Sequence, residues 1–474
     1  MSVLLIRPSI NRFRPSFLSS TSPLNLMYIS AALKEAGVAC RILDFESTVM
    51  TEETLFGWIQ DFNPKIVGLT AFTPTVNNAG HIASLVKERY PDIVTVLGGV
   101  HVSALPHQSL MELPCFDYIF IGEGEIHFPE FCKALLAGRI DASTEIDIPG
   151  VCYRKPDGTS QINPPEMIFD LDSLPLPDRS VDFRKGAGIK SLPSRRSMRY
   201  AEILTSRGCP FDCTFCAVKI VHSGKEYSNR RVRQHSVEKV AEEIAILKNE
   251  HGVDHLNILD STFTVNKKYV IPIVETIAGF GLTYNCNAII NTVDYEVLKT
   301  MAETGCQQIS FGIETGSPEI LKKVNKRIRI EEIVERVAIA REVGIPAIEC
   351  SYIIGIHPDE TEEDIRLTER LMHQVDADVS VLSIGIPLPG TEMFHQFSSE
   401  GMYSMGNDWD AFSFYGAKPN VRTRYVSRER LLHLQKEIMR NYYFSPRRIS
   451  RRVRRLSSPM ELVNSVKAAF SLLR

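Results

Sequence analysis

Three of the ten cysteines, Cys209, Cys213 and Cys216, stand close together in Thr205-Ser206-Arg207-Gly208-Cys209-Pro210-Phe211-Asp212-Cys213-Thr214-Phe215-Cys216. Their spacing, C-x3-C-x2-C, sets three soft thiolate ligands on one tight loop. Such a loop can hold three irons of a [4Fe-4S] cluster, which normally takes four cysteines. The missing fourth leaves one iron free to bind a small molecule. A zinc site with His222 as fourth ligand is the alternative, although zinc usually takes two C-x2-C arms or a more distant Cys/His pair. The other seven cysteines are scattered singly on apolar stretches, where Cys behaves as a small core hydrophobe. That pattern is no disulfide framework, and the clustered three point to metal or redox chemistry in a reducing compartment.

The cluster loop needs a frame, and the residues around it alternate between strand-like and helix-like patterns. From Ala201 the pattern predicts strands at Glu202 to Thr205, His255 to Leu259, Thr283 to Ala288, Gln308 to Gly312, Ile348 to Ile354 and Val379 to Ile384. Helices are predicted between them, among them Val237 to Asn249, Ile330 to Val343 and Thr361 to His373. Six such units suit a partial (β/α)6 barrel over residues 201–397, with its chemistry in the loops after the strands. The first of those loops carries the three cysteines.

A separate alternating series precedes it. Val3 to Ile6, Cys40 to Leu43, Ile66 to Leu69, Ile93 to Leu97 and Tyr118 to Ile121 read as buried parallel strands. Helices are predicted at Leu24 to Ala36, Val76 to Tyr90 and Ile126 to Ala137. This is an α/β, doubly wound, Rossmann-like domain over residues 1–138, whose ligands sit beyond the carboxyl ends of the strands. Those ends hold Thr70 and Thr73, then Gly98, Gly99, His101 and Ser103, then Glu123 and Gly124. Residues 139–200 form a connector, with a hairpin around Asp157-Gly158 and a proline-punctuated stretch, Leu171 to Arg179. Residues 398–474 form a mostly helical extension, with seven arginines between Arg440 and Arg455.

The cysteine triad, on this loop of a partial barrel and with the aromatic Phe215 before its last member, resembles the radical S-adenosylmethionine (SAM) enzymes. The resemblance covers about residues 200–390. It implies a [4Fe-4S] cluster on Cys209, Cys213 and Cys216, whose free iron chelates SAM, and reductive cleavage of SAM to a 5′-deoxyadenosyl radical. It also implies SAM contacts from Phe215, Asp260 after the second strand, Glu314 after the fourth, and Ser351 and Ile356 at the fifth. Asp359 departs from the glycine common at the fifth turn.

With a doubly wound domain ahead of the barrel, about residues 1–390 resemble the cobalamin-binding subfamily. Thr70, Thr73, Gly98, Gly99, His101, Ser103, Glu123 and Gly124 would then contact cobalamin. Many cobalamin domains supply a histidine ligand after the first strand; Arg7 to Arg14 holds none, so cobalamin should bind without a histidine beneath cobalt. The resemblance implies methylation of an unactivated carbon through methylcobalamin. Alternatives are a ring-forming or oxidising enzyme like the anaerobic magnesium-protoporphyrin monomethyl ester cyclase, acting on a tetrapyrrole or lipid, and a non-catalytic cobalamin- or zinc-binding sensor. A second cysteine triad, the mark of methylthiolating relatives, is absent from the N-terminal half.

Bulk properties agree. The 474 residues are 44% hydrophobic and 23% charged, ordinary globular composition. A net charge of −3 gives no field to draw nucleic acid. No apolar run approaches the roughly 18 residues of a membrane span, nor the core of a signal peptide. The expectation is a cytoplasmic enzyme with a small-molecule or lipid substrate and a flavodoxin or ferredoxin as reducing partner. The arginine run offers either peripheral contact with an anionic membrane face or pairing with barrel acids such as Glu362-Glu363-Asp364.

Overall fold

The computed structural model describes residues 2–10, 21–140, 145–181, 199–221, 232–403, 408–412, 421–446 and 448–450. The apolar runs of the N-terminal part form five parallel strands: β1 (Ser2–Arg7), β2 (Ala39–Asp44), β3 (Ile66–Thr70), β4 (Val94–Gly98) and β5 (Tyr118–Phe120). Their order, β2-β1-β3-β4-β5, is doubly wound. Every residue of β1 and β3 is buried, because helices cover both faces of a sheet of this kind. At the ends of β1 and β2, Arg7 grips Asp44 through two bonds of 2.7 Å. The helices Leu24–Glu35, Val76–Arg89 and His127–Leu136 lie where the amphipathic pattern predicts them. A further helix, Glu52–Phe62, was not foreseen; Thr51 starts it by accepting from the Thr54 N–H.

The hairpin predicted in the connector exists as β6 (Val151–Arg154) and β7 (Ser160–Ile162). It does not stand apart. It pairs antiparallel with β5 and completes a seven-stranded sheet.

The second sheet is all parallel and runs in chain order: β8 (Tyr200–Ile203), then, after the short antiparallel ribbon of β9 (Ser206–Arg207) and β10 (Arg233–Gln234), β11 (His255–Ile258), β12 (Thr283–Ala288), β13 (Cys306–Glu314), β14 (Ala347–Ile354) and β15 (Val379–Ile384). Among the described residues β8 and β15 are its unpaired edges, so the expected partial barrel stays open. Alternation divides its two faces. Leu256, Ile258, Tyr284, Ile309, Phe311 and Tyr352 are buried in the large core beneath the helices. Asn257, Asn285, Ser310, Glu349 and Ser351 point the other way and remain half-buried.

The C-terminal extension packs on both parts. Helix Arg428–Tyr443, capped by Ser427, lies against β15, with Ser380 donating to the Tyr442 hydroxyl at 2.7 Å. The turn Trp409–Phe412 sits instead in the N-terminal core. Of the arginine run, residues 447, 451, 452, 454 and 455 lie outside the described residues. Arg448 folds inward onto Asp376 at 2.8 Å and over the Tyr442 ring at 3.9 Å, so this arginine pairs with an acid of the barrel unit. Glu362, named above as a partner for that run, is held by Arg430 from the preceding helix. No helix among the described residues is long and apolar enough to cross a membrane.

Candidate functional site

The ribbon β9–β10 is the neck of the cysteine loop, and the loop is tied down at several points beyond it. Thr214 N donates to Val324 O at 3.1 Å, Asn325 Nδ2 to Asp212 O at 3.0 Å, and Met393 N to Thr214 O at 3.0 Å. Cys213 is buried, whereas Cys209 and Cys216 are half-buried. Burial pushes the Cys213 thiol up to about 11, and raises Cys216 as well. Bare, these thiols are protonated at neutral pH; bound iron would hold them as thiolates. Among the described residues no three His, Cys, Asp or Glu side chains converge as ligands on one ion. His222 lies outside the described residues.

Beside the thiols stands a charged pair that the sequence reading had only half identified. Glu314 occupies a left-handed backbone position, φ +74°, at an irregularity in the β13–β14 register. Its carboxylate meets Lys326 Nζ at 2.9 Å, and both side chains are buried. Burial pulls the lysine down, but Glu314 together with Cys213 and Cys216 more than compensates and leaves the ammonium above its ordinary value. The Lys326 charge also acts on Cys213, lowering it against the effect of burial. Lys326 gave no local signal; it lies twelve residues beyond Glu314 and only the fold joins them. Phe215 and Ile356 pack into one small apolar cluster with Ile320 and Val324. Ser351 lies opposite Gly312 in the β13–β14 register. Phe215, Glu314, Ser351 and Ile356 therefore lie near the cysteine loop or at the strand ends beside it.

Asp260 does something else. Its carboxylate is wholly buried and accepts from Thr205 N at 2.7 Å, Thr205 Oγ1 at 2.6 Å and Ser206 Oγ at 2.6 Å. Burial raises it in spite of those bonds. With its oxygens engaged, it fastens the start of the cysteine loop to the end of β11 rather than facing a ligand. Thr262, two residues on, approaches Cys209 Sγ at 3.7 Å.

The N-terminal strand ends are brought together as predicted, but most of their side chains serve the protein itself. Thr70 accepts from Asn25 Nδ2 at 3.0 Å. His101 is buried, 3.3 Å from Thr73 Oγ1, with the Trp409 ring edge-on at 4.8 Å. Burial lowers it to about 4, so it is neutral and covered. Ser103 donates to Gly99 O and accepts from Gly122 N. A Cβ on Gly124 would press on Ile29 at 3.1 Å. Gly99 has φ +106°, and a Cβ there would lie 2.5 Å from Ala71 O, so it closes the β3–β4 junction against backbone rather than opening it to a ligand. Gly98 has room, with nothing nearer than 3.6 Å. Phe72, just beyond the end of β3, is 55% exposed, an uncovered apolar group that the sequence reading passed over. Residues 11–14, where a histidine was looked for, are outside the described residues.

Glu123 also has protein partners. It is buried and bonded through both oxygens to Arg233, at 2.6 and 2.7 Å, with Ile168 N donating at 3.1 Å. It joins the two domains. The two predicted cofactor loops do meet: the helix Val218–Val221 that follows Cys216 packs on the helix Val100–Ala104 that follows Gly99.

The B12 binding domain model matches residues 15–132 and the Radical SAM superfamily model residues 203–372. An uncharacterized methyltransferase of Pyrococcus horikoshii is 31% identical over 455 residues, spanning 94% of this chain and 93% of the relative. The anaerobic magnesium-protoporphyrin IX monomethyl ester cyclase of Cereibacter sphaeroides is 28% identical over 449 residues, with 93% and 70% covered. The radical SAM methyltransferase TsrM of Kitasatospora setae, solved with cobalamin and a [4Fe-4S] cluster bound, shares the fold at a TM-score of 0.67 and 21% identity, over 86% of this chain and 76% of that one. Both domains in this order, and a relative matched along nearly its whole length, make the chain a member of the cobalamin-dependent radical SAM enzymes.

Proposed function

We propose that this chain methylates an unactivated carbon, with one SAM as methyl source and a second as radical source. The observation that carries the reading is the contact of Val218–Val221 with Val100–Ala104, which sets the cysteine loop against the glycine-bearing strand end of the other domain. When bound, the cluster with SAM supplies the radical and cobalamin supplies the methyl group. Cys209, Cys213 and Cys216 would hold the cluster. Lys326, paired with Glu314 beside the thiols, would offer its ammonium to an anionic group of SAM, while Phe215 and Ile356 exclude water from that side. At the N-terminal strand ends, Gly98 and Phe72 would face cobalamin, and backbone more than side chains would shape its cradle. The open face of the second sheet carries Asn285, Asn287, Ser310 and Glu349. It suits a hydrogen-bonding small molecule better than a hydrocarbon, since each buried polar group left unpaired costs about 1–3 kcal/mol. A low-potential carrier such as a flavodoxin or ferredoxin would reduce the cluster. Docking on an anionic membrane through the other arginines of the run, at 447, 451, 452, 454 and 455, would show as co-sedimentation with anionic vesicles at low salt.

The test is anaerobic reconstitution with iron, sulfide and hydroxocobalamin, followed by reductant and methyl-labelled SAM. The protein should release 5′-deoxyadenosine, and label should pass to a candidate substrate. Cys213→Ala should lose both to background. An unlabelled, oxidised substrate would favour the cyclase-like reading. Iron-replete protein that leaves SAM intact would sink both.

A further inference from the structure

Arg207 and Arg233 are directly opposed across the β9–β10 ribbon, the neck from which the cysteine loop springs. Both are buried. Like charges facing each other across two strands repel, and burial removes the water that would screen them. The compensating carboxylates come from the other domain. Glu125 meets Arg207 at 2.7 Å, and Glu123 grips Arg233 at 2.6 Å while standing 3.6 Å from Arg207. Tyr28, from the first helix of the same domain, lies under the Arg207 guanidinium at 5.0 Å. Glu123, Glu125 and Tyr28 are themselves buried. One residue after Arg207 and Gly208 comes Cys209.

We infer that Glu123 and Glu125 are positioning residues: they make the shape of the cluster-loop neck conditional on docking of the cobalamin-binding domain. The physical need is plain once the two cofactors are assigned to different domains, and to that extent the inference rests on the function proposed above. A radical source and a methyl donor must address one substrate, so the loop that carries one must be held in register with the domain that carries the other. Undocked, the ribbon would hold two opposed arginines without these carboxylates, and the strand pair would open. Docked, four charges close around it and the loop is set. Glu125 and Arg207 are the most direct link, because Arg207 adjoins the loop itself.

The experiment compares wild type with Glu125→Gln, Arg207→Glu and the swapped pair Glu125→Arg/Arg207→Glu, all as full chains. Two readouts are needed: hydrogen exchange in residues 206–221 of the cofactor-free protein, and the electron paramagnetic resonance spectrum of the reduced cluster with cob(II)alamin bound. In Glu125→Gln and Arg207→Glu, exchange in that segment should accelerate more than about tenfold, by loss of a buried ionic partner, and the magnetic interaction between cluster and cobalt should broaden. Restoration of both in the swapped pair supports the positioning role. Unchanged exchange and an unchanged spectrum in Glu125→Gln overturn it. So does a swapped pair that stays as unprotected as the single variants, including the case in which the singles do not fold. Hydrogen exchange in the cofactor-free chain is independent of the cofactor assignment; a wild type that takes up no iron or cobalamin would defeat the proposed function and leave this coupling to stand or fall by exchange alone.

Discussion

The loops that end the N-terminal strands and those that end the barrel strands look alike in sequence, small and polar in both, yet they treat their polar groups differently. In the N-terminal domain, Ser103 and His101 bond to the strand-end loops, Thr70 accepts from Asn25 of the first helix, and Trp409 closes over His101. In the barrel, Cys213 and Cys216 are desolvated thiols, and Lys326 and Glu314 form a buried ion pair beside them. The first region spends most of these side chains on protein partners and leaves Gly98 with room and Phe72 exposed. The second keeps reactive and charged groups in a dry place, where incoming iron and an anionic ligand gain most. On the function proposed above, one region would recognise by shape and the other by charge and coordination.

Removing charge from the second region should have the largest effect on stability. Lys326→Met leaves Glu314 buried, with no lysine partner, at a backbone angle that side chains rarely adopt. The cofactor-free protein should lose about 3–5 kcal/mol, read as a lower urea midpoint. A loss under about 1 kcal/mol would mean that the pair is solvated and that the two regions differ less than argued.

Glu360 extends the contrast to pH. It is fully buried at the turn after β14, accepts from the Gly355 and Ile356 N–H groups, and burial raises it from 4.5 to about 8. An acid whose folded value lies above its unfolded value is retained as the neutral form. Its contribution is whole below pH 4.5 and is lost as pH rises toward 8, by on the order of 3–4 kcal/mol. Glu360→Gln should lack that slope, so the variant should gain stability relative to wild type from pH 5 to pH 8 in paired urea titrations. Parallel curves would show that Glu360 is already ionised in the fold.

The smallest expected effect divides two adjacent glycines. Gly99→Ala forces a Cβ into the Ala71 backbone at a positive φ and should cost about 1–3 kcal/mol. Gly98→Ala meets nothing within 3.6 Å and should leave the urea midpoint alone while weakening hydroxocobalamin uptake. If both variants unfold alike, or neither alters uptake, Gly98 does not face the ligand.

Local patterns carried much of this. Three cysteines within one loop are legible because a cluster site built on one loop needs no distant residue, and strand–helix alternation is legible because burial on one face imposes a period on the chain. Gly99 was legible as special only in part: the need for a positive φ is local, whereas the atom that its Cβ would strike belongs to Ala71, just beyond β3. Asp260 and Glu123 were read as ligand contacts from their places at strand ends. Their partners, Thr205 and Arg233, lie 55 and 110 residues away, and no pattern in the neighbourhood of either acid announces them. Trp409 was invisible as a cover for His101 for the same reason.

The main alternating strands of both units, the cysteine loop and the order of the two domains were determined by the sequence alone, because each follows from periodicity or spacing within a few dozen residues, whereas the helix Glu52–Phe62 and the open edges of the second sheet came from the structure. Which polar groups are spent and which remain available was decided only by the tertiary structure. A carboxylate in a sequence is the same whether it will bind a ligand or an arginine. The choice depends on which donor is brought to it when water is removed, and for Glu123 and Glu125 that donor came from the other domain.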